Sequence, residues 1–130
     1  MQDNSINSTE NQNEPIWDRE DLLKRLANNE KLIGKLLTMY LADNNARLIQ
    51  LRSAFEAASG DSELANMAHT LKGVSANLSA TALNQCCVEL ELAVKAKESD
   101  SIQTLLLAVE DAHRELTVVF TSYLENQNTL

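Results

Sequence analysis

Ala68-His69-Thr70-Leu71-Lys72-Gly73-Val74-Ser75-Ala76-Asn77-Leu78 separates into two faces when wound at about 100° per residue. Leu64, Met67, Ala68, Leu71, Val74, Ser75 and Leu78 gather on one side as a stripe of helical period. His69 points the other way, in a lane of small side chains made by Ala65, Gly73 and Ala76, with Ser62 a little further off. Lys72 sits on the flank between the faces. Glycine inside a helix costs about 1 kcal/mol relative to alanine. Its place one turn after a histidine predicts that something approaches the helix surface closely there.

Working outward, the helical period recurs on both sides. Before the stretch, Asp18 is an expected N-cap with Asp21 in the capping-box position, and Ile16 and Trp17 are placed to staple that start onto a core. A short helix with Leu22, Leu23 and Leu26 runs to about Ala27. Asn28-Asn29 interrupts it, and a second helix spans about Glu30 to Ala58, with Asp43-Asn44-Asn45 polar enough to allow a bend. Gly60 is read as its end and Asp61 or Ser62 as the cap of the third helix, which runs to about Leu78. After the stretch, Ser79 is read as the cap of a fourth helix carrying Leu83, Cys86, Cys87, Leu90 and Val94 to about Lys97. Ser99-Asp100-Ser101 serves as turn and cap. A fifth helix then shows one stripe from Ile102 through Val109 and Leu116 to Tyr123. Residues 1–14 are polar and read as a disordered tail or linker, 15–126 as a single helical domain, and 127–130 as a polar tail. Long amphipathic helices joined by short connections can bury their stripes only against one another. The expected fold is therefore all-α, an antiparallel up-down four-helix bundle with the short first helix across one end.

Composition narrows the function. Glycine and proline number 3 and 1, and aromatics are 4% of a chain rich in leucine and alanine, which favours helices. The formal charge of −8 argues against nucleic acid as a partner. No apolar run approaches the ~20 residues that span a bilayer, and no signal peptide is visible. A cytoplasmic protein without direct membrane contact is expected, free-standing or as the cytoplasmic part of a membrane-bound kinase. Cys86 and Cys87 are adjacent, a spacing that suits neither a disulfide nor a metal, and read as thiols in a reducing compartment. Met39 and Met67 read as core filling. Glu110 and His113 form one Glu-x-x-His pair, half of a di-iron motif, and His113 reads as structural or solvated. No metal ligand set is expected.

His69 is the residue with chemistry. Imidazole is neutral and nucleophilic in large part near neutral pH. Lys72, three residues on, is within reach of an anion carried by His69. A nucleophile beside a cation, with no second acid or base near it in sequence, points to a covalent carrier rather than a hydrolase. Ala68-His69-Thr70-Leu71-Lys72-Gly73 followed by Ser75 and Leu78 resembles the signature of histidine phosphotransfer (HPt) domains of bacterial multistep phosphorelays. Pro15-Ile16-Trp17-Asp18 is similar to the start of HPt domains that end hybrid sensor kinases. Tyr40 stands where the family often has phenylalanine, and Leu83, Cys87, Leu90 and Glu91 match its following helix.

The resemblance implies that His69 accepts a phosphoryl group, at Nε2, from a receiver-domain aspartate and passes it to another receiver. Lys72 would then steady the phosphoryl oxygens and Gly73 would let the receiver approach. The partners implied are receiver domains of response regulators or a hybrid histidine kinase, met by a monomer. The chain would have no kinase activity or cofactor of its own, and Mg²⁺ would belong to the receiver. Receiver specificity is expected around the lane, at Ala65, Asn66, Ala76, Asn77, Gln85 and Glu89. Ser79 departs from the family, which commonly has glycine there, and bears on how closely the third and fourth helices approach. The other reading is a helical interaction module without covalent chemistry, its small-residue lane a docking groove for a partner helix.

Overall fold

The computed structural model describes residues 15–58 and 60–128. The expected tail over 1–14, and residues 129–130 of the expected polar tail, lie outside the described residues. Among the described residues, five helices follow one another: α1 (Arg19–Arg25), α2 (Glu30–Glu56), α3 (Asp61–Asn77), α4 (Thr81–Lys95) and α5 (Ser99–Asn128). No strand occurs among the described residues. The all-α expectation is met. α2 touches α3 and α5, α3 touches α4, and α4 touches α5, so the four longer helices close a ring, with α1 against α2. Leu37, Leu51, Leu71, Leu83, Val94, Leu106, Leu116 and Phe120 fill it and are buried. Each such side chain contributes about 1.5–3 kcal/mol through burial.

The segment leading into α1 fastens three elements. The Trp17 ring packs edge-on to Phe120 and Tyr123 of α5, at centroid distances of 5.0 and 5.3 Å. Its Nε1 donates to the Leu78 carbonyl at 2.9 Å. Asp18 N donates to the Ser79 carbonyl, and Ala82 N to that of Pro15. Asp18 caps α1 as expected, its side chain accepting from Asp21 N at 3.1 Å. The carboxylate of Asp21 does not complete a capping box, because it turns to Ser79 and Arg25.

Several sequence expectations change at the helix ends. α2 is continuous through Asp43-Asn44-Asn45: only Asn44 faces the core, where its Oδ1 accepts from Arg47, while its two neighbours stay in solvent. α2 ends at Glu56, with Ala58 left-handed at φ +52°. Gly60, at φ +114°, is the N-cap of α3 rather than the end of α2, and Asp61 is the first residue inside that helix. Ser79 is not the cap of α4. Ala80 holds that position, and Ser79 is left-handed at φ +57° immediately after α3. There Ser79 N donates to the Ala76 carbonyl and Ala80 N to that of Ser75, the paired bonds that close a helix through a left-handed residue.

Glycine suits that position for its freedom at positive φ. Serine fills it here, and α3 and α4 still pack closely. Ser79 Oγ donates to Asp21 Oδ2 at 2.6 Å and accepts from Arg25. α5 begins at Ser99 itself and continues past Glu125 to Asn128, where Gln127 donates to Glu30 and to the Tyr123 hydroxyl. Met39 is 59% exposed and fills no core, whereas Met67 packs against it.

Candidate functional site

The core stripe of α3 sets the site. Ala68, Leu71 and Ser75 are buried against neighbouring helices, which turns His69 outward. Its side chain is 67% exposed, and Nδ1 lies 3.2 Å from Glu91 Oε2. Glu91 belongs to α4 and its side chain is only 6% exposed. Lys72 Nζ reaches Glu91 Oε1 at 2.8 Å, and Lys95 Nζ reaches Oε2 at 2.9 Å. Hydrogen bonds from Lys72 first, then Lys95, hold the Glu91 carboxyl at a pKa of about 2, well below its ordinary value. An ionised carboxylate only accepts, so the histidine bonded to it carries its proton on Nδ1. The lone pair of the neutral ring is then on Nε2, the nitrogen remote from Glu91.

α3 and α4 are stitched together beneath this cluster. Asn84 Nδ2 of α4 donates to the Lys72 carbonyl of α3 at 2.9 Å, while the buried Ser75 hydroxyl bonds back to the Leu71 and Lys72 carbonyls of its own helix. The four charged or titratable groups thus sit on two helices whose spacing is set by packing and hydrogen bonds.

The small-residue lane is only partly as the wheel places it. Gly73 and Ala76 are exposed, and a Cβ built on Gly73 would meet nothing within 4 Å. Nothing within the chain requires glycine there. Ala65 is buried, because the flank of α3 on which it lies enters the core. Asn66 and Asn77 are exposed beside the lane. Gln85 is half-buried on α4 and donates to Glu89 at 2.9 Å. None of these three enters the hydrogen-bonded cluster around Glu91.

Glu91 and Lys95 had no role in the sequence reading. A signal for Glu91 existed: it falls within the apolar stripe of Leu83, Cys87, Leu90 and Val94, where an acid needs a partner. Lys95, one turn later, is the nearest such partner in sequence. Elsewhere, Glu110 is gripped by Arg52 through bonds of 2.9 and 2.6 Å, and His113 Nδ1 meets the Tyr40 hydroxyl at 2.6 Å. Both residues of the half di-iron motif therefore have other work. Among the described residues, no group of three or more His, Cys, Asp or Glu side chains could hold a metal ion.

The family model of the Hpt domain matches residues 35–117, a span that includes His69, Lys72 and Glu91. The chain belongs to the Hpt domain family. Its role is histidine phosphotransfer in a phosphorelay. The crystal structure of histidine-containing phosphotransfer protein B from Pseudomonas aeruginosa PAO1 is similar, with 26% identity and a TM-score of 0.78. That match covers 86% of this chain and 96% of the Pseudomonas chain. A rice protein assigned as a histidine-containing phosphotransfer protein shares the fold, with 18% identity and a TM-score of 0.76. It covers 95% of this chain and 89% of the rice chain. No curated protein matches the sequence. No helix of this Hpt domain, among the described residues, is long and apolar enough to cross a membrane.

Proposed function

We propose that His69 is the phosphoacceptor of this Hpt domain, taking a phosphoryl group at Nε2 from an aspartyl phosphate of one receiver domain and delivering it to the aspartate of another. The observation that carries this reading is the bond between Nδ1 and the buried, ionised Glu91, which leaves the nucleophilic nitrogen on the exposed side of the ring. The Nε2 lone pair forms the N–P bond as the P–O bond to the donor aspartate breaks, and the bonding pair leaves with that carboxylate. The Nδ1 proton stays in place, and the positive charge that develops on the ring faces Glu91. Delivery is the same step reversed.

Lys72 adjoins the phosphoryl group from the same helix, and its flexible stem lets the ammonium turn from Glu91 to the phosphoryl oxygens. The exposed backbone at Gly73 gives a receiver a close approach to α3. Asn66, Ala76, Asn77 and Gln85 border that approach, while Ala65 supports it from below. Mg²⁺ and most of the stabilisation of the transferring group are assigned to the receiver, so the chain acts as a carrier and not as a kinase. The closed ring of helices and their short connections support an antiparallel up-down arrangement of α2 to α5, with α1 at one end. We assign it as a monomer working in the cytoplasm.

The test is transfer from a ³²P-phosphorylated receiver domain to the full chain, with His69→Gln alongside. Wild type should take up label that is lost in acid and survives base, and the variant should take up none while binding the receiver normally. Equal labelling of the two proteins would end the assignment to His69.

A further inference from the structure

Glu91 holds two ammonium groups where one would balance its charge. Lys72 reaches Oε1 from α3, the helix of His69, whereas Lys95 reaches Oε2 from α4, the helix of Glu91 itself. Oε2 is also the oxygen that meets His69 Nδ1. The two lysines are therefore not equivalent. Lys95 follows Glu91 by one helical turn, in the favourable acid-before-base order, and its contact does not depend on the α3–α4 spacing. Lys72 moves with the histidine.

The duplication matters once His69 carries a phosphoryl group, so the inference rests on the carrier reading above. Close to two negative charges then arrive at Nε2, and Lys72, three residues along the same helix, is drawn toward them. A carboxylate that is 6% exposed is strongly destabilised if its cations leave. It would take up a proton or turn from the ring, and the imidazole would lose its orientation when the ring is cationic. We propose that Lys95 is a positioning residue that keeps Glu91 ionised and bonded to Nδ1 while Lys72 transfers from Glu91 to the phosphoryl group. Lys95 remains with the carboxylate in both states of the carrier, and Lys72 alternates.

Potassium phosphoramidate tests this on the full chain without a receiver: Nε2 attacks phosphorus, the P–N bond breaks with its electron pair going to nitrogen, and that nitrogen, already protonated in the reagent near neutral pH, leaves as ammonia. Lys95→Gln should slow formation of phosphohistidine about tenfold, as expected for loss of a charge-assisted contact, because Lys72 is then confined to Glu91. Lys72→Gln should have a similar effect. Lys95→Arg should restore the rate.

Side-chain NMR of wild type gives a second readout that needs no variant. On phosphorylation the Lys72 Nζ resonance should shift and that of Lys95 should stay. A wild-type rate in Lys95→Gln, or a shift of Lys95 with Lys72 unmoved, would overturn the role of Lys95 alone. Failure of wild type to form phosphohistidine would overturn the carrier reading and this inference together.

Discussion

At the scale of single residues, the site depends on one buried acid and one absent side chain. Glu91 decides which imidazole nitrogen is free, since an ionised carboxylate can only accept from Nδ1. In the role proposed for it, Gly73 contributes by having nothing to place over the helix. A Cβ there meets no atom of the chain within 4 Å, so the helix penalty of glycine is not relieved by internal packing. Gly73→Ala should accordingly stabilise the free domain by about 0.5–1 kcal/mol in urea unfolding. Gly73→Trp should leave helicity intact by circular dichroism and weaken receiver binding. Loss of helicity in the tryptophan variant would show that the position is packed after all.

At the scale of elements, the helix ends use an uncommon device repeatedly. Ala27, Ala58, Ser79 and Lys97 are left-handed after α1, α2, α3 and α4, at φ between +52° and +59°, and none is glycine. A left-handed non-glycine residue costs about 1–2 kcal/mol. At Ser79 the hydroxyl offsets part of that cost through its bonds to Asp21 and Arg25, which also draw the Asp21 carboxyl below its ordinary pKa. The substitutions Ser79→Ala and Ser79→Gly both remove the hydroxyl, but only glycine relieves the backbone. The glycine variant should be more stable than the alanine variant by about 1 kcal/mol, read from their urea midpoints. Equal midpoints would mean that the left-handed turn carries no strain.

At the scale of the whole molecule, side chains between α2 and α5 help close the ring of helices. The Tyr40 hydroxyl and His113 Nδ1 lie 2.6 Å apart, and Arg52 grips Glu110 one turn earlier on α5. Burial, and secondarily the charge of Arg114, lowers the His113 pKa below 6.5. The unfolded chain therefore binds a proton at a pH where the fold keeps His113 neutral. Its contribution is complete above the unfolded pKa and declines as pH falls below it, until the folded group also protonates. Urea midpoints of wild type should fall between about pH 7 and pH 5 more steeply than those of His113→Gln. Parallel curves would exclude His113 as a source of the pH dependence.

The sequence alone determined the helices, their apolar faces and the position of the histidine, because these follow from a period of 3.6 residues along one chain. Trp17 as a staple, Asp18 as a cap and the outward turn of His69 were legible in that way. Helix ends were less legible, because alanine, serine and lysine occupy left-handed positions that glycine ordinarily marks. The flank of α3 that enters the core was not legible either, so Ala65 read as part of an exposed lane although the structure buries it. Glu91 lies 22 residues beyond His69 on another helix, and a helical wheel describes one helix at a time. Only packing α4 against α3 brings His69, Lys72, Glu91 and Lys95 within hydrogen-bonding reach. The low pKa of Glu91, and through it the free nitrogen of the ring, belongs to that packing.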